Sequence, residues 1–92
     1  MAATQVLASG SGAAQSADIV VTTTAVTLVL WDTAGPKVDE MAAAFVEIKA
    51  SNGQYIRYGM LSASKPFYVL KYPGTYRVVR YAGAAIFGVD QN

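Results

Sequence analysis

The sequence predicts an all-β fold: a small antiparallel β-sandwich or barrel of about six to eight strands, immunoglobulin-like or jelly-roll-like, behind a flexible N-terminal arm. Three observations predict it. Phe67-Tyr68-Val69-Leu70, Tyr76-Arg77-Val78-Val79-Arg80-Tyr81 and Ile86-Phe87-Gly88-Val89 are runs of aromatic and β-branched residues, the types that suit a pleated, half-buried surface. Pro and Gly fall at the breaks between runs, as in Tyr72-Pro73-Gly74-Thr75 and Ala82-Gly83, where strand interiors do not want them. Ser51-Asn52-Gly53 separates two runs that alternate with period two, a hairpin signal.

Composition narrows what such a fold can do. The chain has 92 residues, enough for one domain. A chain of this size buries only about 64% of its extended surface, so its own core is small. Small domains add disulfides, a metal or further subunits. No Cys and no His are present, so disulfides, thiolate metal sites and an imidazole base are excluded. Subunit assembly remains. Apolar residues make up 53% and charged residues 14%, against a usual charged share of about 25%, which is low for a free monomer. A net charge of +1 gives no field to recruit nucleic acid or an anionic membrane, so neither is expected as a partner.

Residues 1–17 are rich in Ala, Ser, Gly, Gln and Thr, with Ser9-Gly10-Ser11-Gly12 at the centre. This composition reads as a flexible arm, with one short strand at Thr4-Gln5-Val6-Leu7 and the reach to order on a neighbouring subunit. It lacks the basic n-region and continuous apolar core of a signal peptide. Ile19–Thr23 and Ala25–Trp31 read as strands. In the second, Val26, Leu28 and Leu30 share one face and Thr27, Val29 and Trp31 the other. Neither face is properly polar, so the strand is central in a sandwich or covered by a partner. The uncharged stretch Ile19–Trp31, interrupted by Thr22, Thr23, Thr24 and Thr27, is too short for a membrane-spanning helix.

Asp32 to Lys37, with Gly35-Pro36, reads as a turn. Asp39 to Ala44 has helix-forming composition and allows a turn of helix or none. A single helix over Val38–Ala50 competes with the period-two run Phe45-Val46-Glu47-Ile48-Lys49. In the hairpin that follows, a two-residue loop would set Ile48 against Arg57. A three-residue loop with a left-handed Gly53 sets Ile48 against Ile56, Val46 against Tyr58 and Glu47 against Arg57. Matched pairs favour the three-residue loop. The inner face is then Val46, Ile48, Ile56 and Tyr58, and the outer face Glu47, Lys49, Tyr55 and Arg57. At Pro73-Gly74 neither register matches well and an L-Pro-Gly turn has the wrong twist for a tight hairpin. A corner between sheets is expected there.

Little in the sequence supports catalysis. Asp18, Asp32, Asp39, Glu40, Glu47 and Asp90 lie in turns, beside a charge partner or near the terminus, not as a facing pair of the kind glycoside hydrolysis needs. Ser51, Ser62 and Ser64 have no His to activate them. Gly83-Ala84-Ala85-Ile86-Phe87-Gly88 lacks the Lys-Ser/Thr of a phosphate loop. No cofactor and no metal is expected. Arg57, Lys71, Arg77 and Arg80 interleave with six tyrosines. That pattern suits single-stranded nucleic acid or sugar stacking, but most of all a protein interface.

The Tyr72-Pro73-Gly74-Thr75-Tyr76-Arg77-Val78 run and the later Phe87-Gly88-Val89-Asp90 resemble the C-terminal strands of small β-sandwich virion proteins of tailed bacteriophages. The Thr-rich strand Ile19–Leu30 is similar in style. Gly74-Thr75-Tyr76 also resembles the tyrosine corner of immunoglobulin-like sandwiches, although the Cys pair that accompanies Trp in those domains is missing. The resemblance implies a non-enzymatic head decoration (cement) protein, often trimeric. It would bind the major capsid protein or another virion protein on the outer surface of the head, after synthesis in the host cytoplasm. A tail, neck or fibre component and a carbohydrate-binding module are the alternatives. Partner contacts are expected at Leu7 in the arm, at Val29 and Trp31 on the Thr-rich strand, and at Phe45, Tyr55 and Arg57 on the hairpin. Phe67, Tyr68 and Tyr81 complete the expected contact set.

Overall fold

A computed structural model describes residues 4–32, 40–83 and 85–92. Nine strands lie among the described residues: β1 (Thr4–Gly10), β2 (Ala14–Gln15), β3 (Ile19–Val21), β4 (Val26–Trp31), β5 (Ala43–Lys49), β6 (Tyr55–Ser62), β7 (Phe67–Leu70), β8 (Gly74–Arg80) and β9 (Phe87–Gln91). They form two antiparallel sheets. One runs β1-β9-β4-β7; the other runs β2-β8-β5-β6, with β3 also paired to β8. The predicted β-sandwich is therefore present.

The pairing is nested. β1 pairs with β9, β2 and β3 with β8, β4 with β7, and β5 with β6. The chain is thus one long antiparallel hairpin rolled into two layers, with β4–β9 and β5–β8 pairs closing the roll. That is the jelly-roll arrangement. β2 and β3 act as one interrupted strand along β8. Ser16 bridges the interruption: its N–H donates to the Val78 carbonyl and its Oγ accepts from the Val78 N–H, both at 2.9 Å.

The core lies between the layers. Leu7, Leu28, Leu30, Leu70, Phe87 and Val89 come from one sheet, and Ile19, Val21, Val46, Leu61, Tyr76 and Val78 from the other. The strand apolar on both faces is β4, and it is central in its sheet. Leu28 and Leu30 are buried while Val29 points outward, as period two requires.

The β5–β6 hairpin has the three-residue loop. Ile48 faces Ile56 and Glu47 faces Arg57. Gly53 has φ 88°, a left-handed value that glycine adopts without a Cβ penalty. The register then shifts between Val46 and Glu47, so Val46 faces Gly59 rather than Tyr58. The extra residue is a bulge. β6 is the end strand of its sheet, and Ile56 and Tyr58, expected inside, are exposed. Glu47, expected outside, is largely buried by its neighbours.

The period-two run Phe45-Val46-Glu47-Ile48-Lys49 is strand as expected, within β5, and Ala44 and Val46 enter the core. The competing helix over Val38–Ala50 does not form across those residues, where tertiary burial outweighs helix propensity. Asp39 and most of the expected Asp32–Lys37 turn lie outside the described residues. The expected flexible arm is largely strand: β1 completes the sheet edge beside β9 and carries Leu7 into the core. Its anchor is Arg80, whose guanidinium enters the interior. Nε donates to the Gly12 carbonyl at 2.7 Å, and Nη1 donates to the Ala8 and Phe87 carbonyls at 2.8 and 2.7 Å.

The Pro73-Gly74 corner does cross between sheets, since β7 and β8 belong to different ones. The buried Tyr76 hydroxyl donates to the Tyr72 carbonyl at 2.7 Å, the bond expected of a tyrosine corner.

Candidate interaction surface

Period two sorts the expected contact residues onto distinct faces. The outer face of the β2-β8-β5-β6 sheet collects Phe45, Tyr55 and Arg57, and Tyr81 joins them just beyond β8. The Arg57 guanidinium carbon sits 3.7 Å from the centre of the Phe45 ring. Tyr81 meets the same ring edge-on, with centroids 5.5 Å apart. Met60 faces Phe45 across β6 and is 45% exposed; Tyr81 is 55% exposed. One continuous surface therefore carries an arginine, two rings and a thioether.

The adjoining part of that face is charged but paired. Glu47 lies between Arg57 and Arg77 in the strand register. It accepts from Arg77 Nε at 2.7 Å, leaving Arg57 for the Phe45 ring. Arg77 also stacks on Tyr55 at 3.9 Å, and Lys49 lies 5.9 Å from the same ring. The Tyr55 hydroxyl donates to Asp18. That hydrogen bond pushes the phenol above its usual range, against the opposing charge of Arg77. A ring held between guanidinium and carboxylate is fixed in orientation, with little side-chain freedom left to lose on contact.

The outer face of the other sheet holds Val29, Trp31 and Phe67. Val29 faces Phe67, and Trp31 faces Gly88. Trp31 is flattened over Gly88, where an added Cβ would stand 2.5 Å from Cζ2. Its Nε1 donates to Asp90 at 3.0 Å. Tyr68 lies on neither outer face. It crosses the open side of the sandwich from β7 onto Gly59 of β6, and stacks edge-on with Tyr58 at 5.9 Å. Leu7 is buried in the core, so this chain's own interior takes the side chain expected to meet a partner.

Sequence reasoning missed a groove of about 340 Å³ along β7. Tyr58, Lys65, Phe67, Tyr68, Lys71 and Tyr72 line it. The signal was available: Lys65, Phe67, Val69 and Lys71 repeat every second residue across a strand bounded by Pro66 and Pro73.

Among the described residues, no three Asp or Glu side chains come together as a metal site. No described helix is long and apolar enough to cross a membrane. No family model, no curated protein and no solved structure matches the chain.

Proposed function

We propose that the protein is a non-enzymatic structural assembly component, of the type that decorates and reinforces a phage head. It self-associates, in threes, through the outer face of the β2-β8-β5-β6 sheet. The observation that carries the proposal is the Arg57–Phe45–Tyr81 stack with Met60 beside it. Aromatic residues, Arg and Met are the types enriched where protein surfaces meet, and the strongest contacts cluster on such preorganised rings. The low charge content supports the same reading. The jelly roll recurs in viral capsid domains and also in lectins, so topology alone does not choose a role.

The capsid lattice is the proposed partner of the assembled form, and the proposed location is the outer surface of the head. Light scattering across a concentration series tests the self-association. Cosedimentation with assembled and unassembled capsid protein from the phage that encodes the chain tests the partner. Binding to assembled shells only is the expected result. A monomer that ignores shells overturns the proposal.

A further inference from the structure

We infer that the groove along β7 is a binding site for an acidic saccharide: one or two sugar rings carrying a carboxylate or sulfate. It shares no residue with the Arg57–Phe45–Tyr81 surface, so it is a second site and stands or falls separately.

The groove presents aromatic rings, phenol hydroxyls and two ammonium groups, from Lys65 and Lys71, with no carboxylate among the described residues that line it. Rings offer flat apolar faces to the C–H side of a sugar, and phenols can donate to or accept from its hydroxyls. The ammonium groups supply the complement to an acidic substituent. The site is also built in advance. Tyr68 is seated on Gly59, where any Cβ would collide with its ring. Tyr58 is held edge-on between Tyr68 and Tyr76, at 5.9 and 5.4 Å. Tyr76 in turn holds the Tyr72 backbone through its hydroxyl. Tyr72 itself is 65% exposed and Phe67 54%. The floor is fixed and the walls are open.

Other occupants fit less well. A volume near 340 Å³ is at the small end for ligand sites, which suits a short ligand better than a polymer. Two lysines on a chain of net charge +1 are too few for a nucleic-acid footprint. An added peptide strand would find only the four-residue β7, closed off by Pro66 and Pro73, and short edges are how sheets resist strand addition.

The test is titration calorimetry, with amide NMR shifts, on the intact protein. The probes are oligogalacturonate, sialyllactose and a sulfated heparin disaccharide as acidic sugars. Maltotetraose, inorganic phosphate, oligothymidylate and a Glu-rich peptide are the comparisons. At least one acidic sugar binds, at least about ten-fold more tightly than maltotetraose, and shifts amides across residues 65–72. Tyr72→Ala weakens it about ten-fold, and Lys71→Gln brings it to the neutral-sugar level. Phe45→Ala leaves it unchanged. Tyr72 is exposed and keeps its carbonyl in the variant, so loss of fold does not confuse the reading; the NMR spectrum checks this. The proposal is overturned if no acidic sugar binds, or if binding survives both groove variants. It is also overturned if phosphate, oligothymidylate or the peptide binds more tightly than every acidic sugar.

Discussion

The hydroxyl of Tyr76 donates to the carbonyl of Tyr72 at 2.7 Å, across the corner where the chain leaves one sheet for the other. Tyr76 is fully buried, so the bond is made where water competes little. Tyr76→Phe keeps the ring and removes the bond. The expected loss is about 0.5–1.5 kcal/mol, a fall in Tm of roughly 4–8 °C per kcal/mol for a domain this small. Calorimetry on the pair of proteins checks it.

Burial first, then the neighbouring Tyr58, pushes the Tyr76 phenol above its ordinary value of 10.0, and the Asp18 bond pushes Tyr55 the same way. A raised pKa means that folding favours the protonated phenol. The stabilising contribution is complete below pH 10 and disappears as pH rises through the higher folded-state values. Stability should therefore fall on the alkaline side of pH 10, and Tyr76→Phe should make that fall shallower. With no His in the chain, stability should change little between about pH 6 and 9. Denaturant midpoints measured from pH 6 to 12 test both statements; a steep change near pH 6.5 would contradict them.

Gly88 faces Trp31 across the β4–β9 ladder. A Cβ there would stand 2.5 Å from Trp31 Cζ2 and 2.9 Å from the Leu7 carbonyl oxygen. The ring can swing away but the β1 backbone cannot. Gly88→Ala should cost about 1–3 kcal/mol and red-shift Trp31 fluorescence as the indole moves into water. An unchanged spectrum and midpoint would show that the two strands are not so close.

Removal of residues 1–17 should destabilise the fold, not merely free an arm. It deletes β1 and β2, takes Leu7 from the core and leaves Arg80 without the Ala8 and Gly12 carbonyls. Leu7→Ala alone should cost about 2–5 kcal/mol, much of a small domain's stability. In hydrogen exchange, Arg80→Met should open the amides of β1 before those of β8. A truncated chain with the full-length midpoint would refute this placement of the N-terminal segment.

The strand runs, the left-handed Gly53 and the crossing at Pro73-Gly74 were legible, because each is a local property of residue type and spacing; Gly74 and Thr75, read as turn, instead begin β8 and pair with β3. What was hidden depends on distant contact. Ser9-Gly10-Ser11-Gly12 reads as a tether until Arg80, some seventy residues on, reaches the Gly12 carbonyl and that of Ala8 just before the stretch. Arg80 resembles the outward Arg77 in sequence, yet lies on the inward side of β8 with Val78 and Tyr76. The bulge before Glu47, which sets Val46 against Gly59 rather than Tyr58, could not be counted from pairing preference alone. Of the contact residues, Phe45, Tyr55, Arg57 and Tyr81 come together, Val29, Trp31 and Phe67 gather elsewhere, and Leu7 goes inside.

Val29→Lys separates the two outer faces. Val29 is 38% exposed on the Trp31 side, so the variant should fold with a midpoint within about 1 kcal/mol of the parent and keep its assembly state.

The decisive quantity is the mass of the particle in solution, followed by multi-angle light scattering from micromolar to millimolar concentration. The expected result is the mass of three chains for the parent and for Val29→Lys, falling to one chain for folded Arg57→Glu and Phe45→Ala. A parent that stays a single folded chain throughout that range would contradict the assembly role.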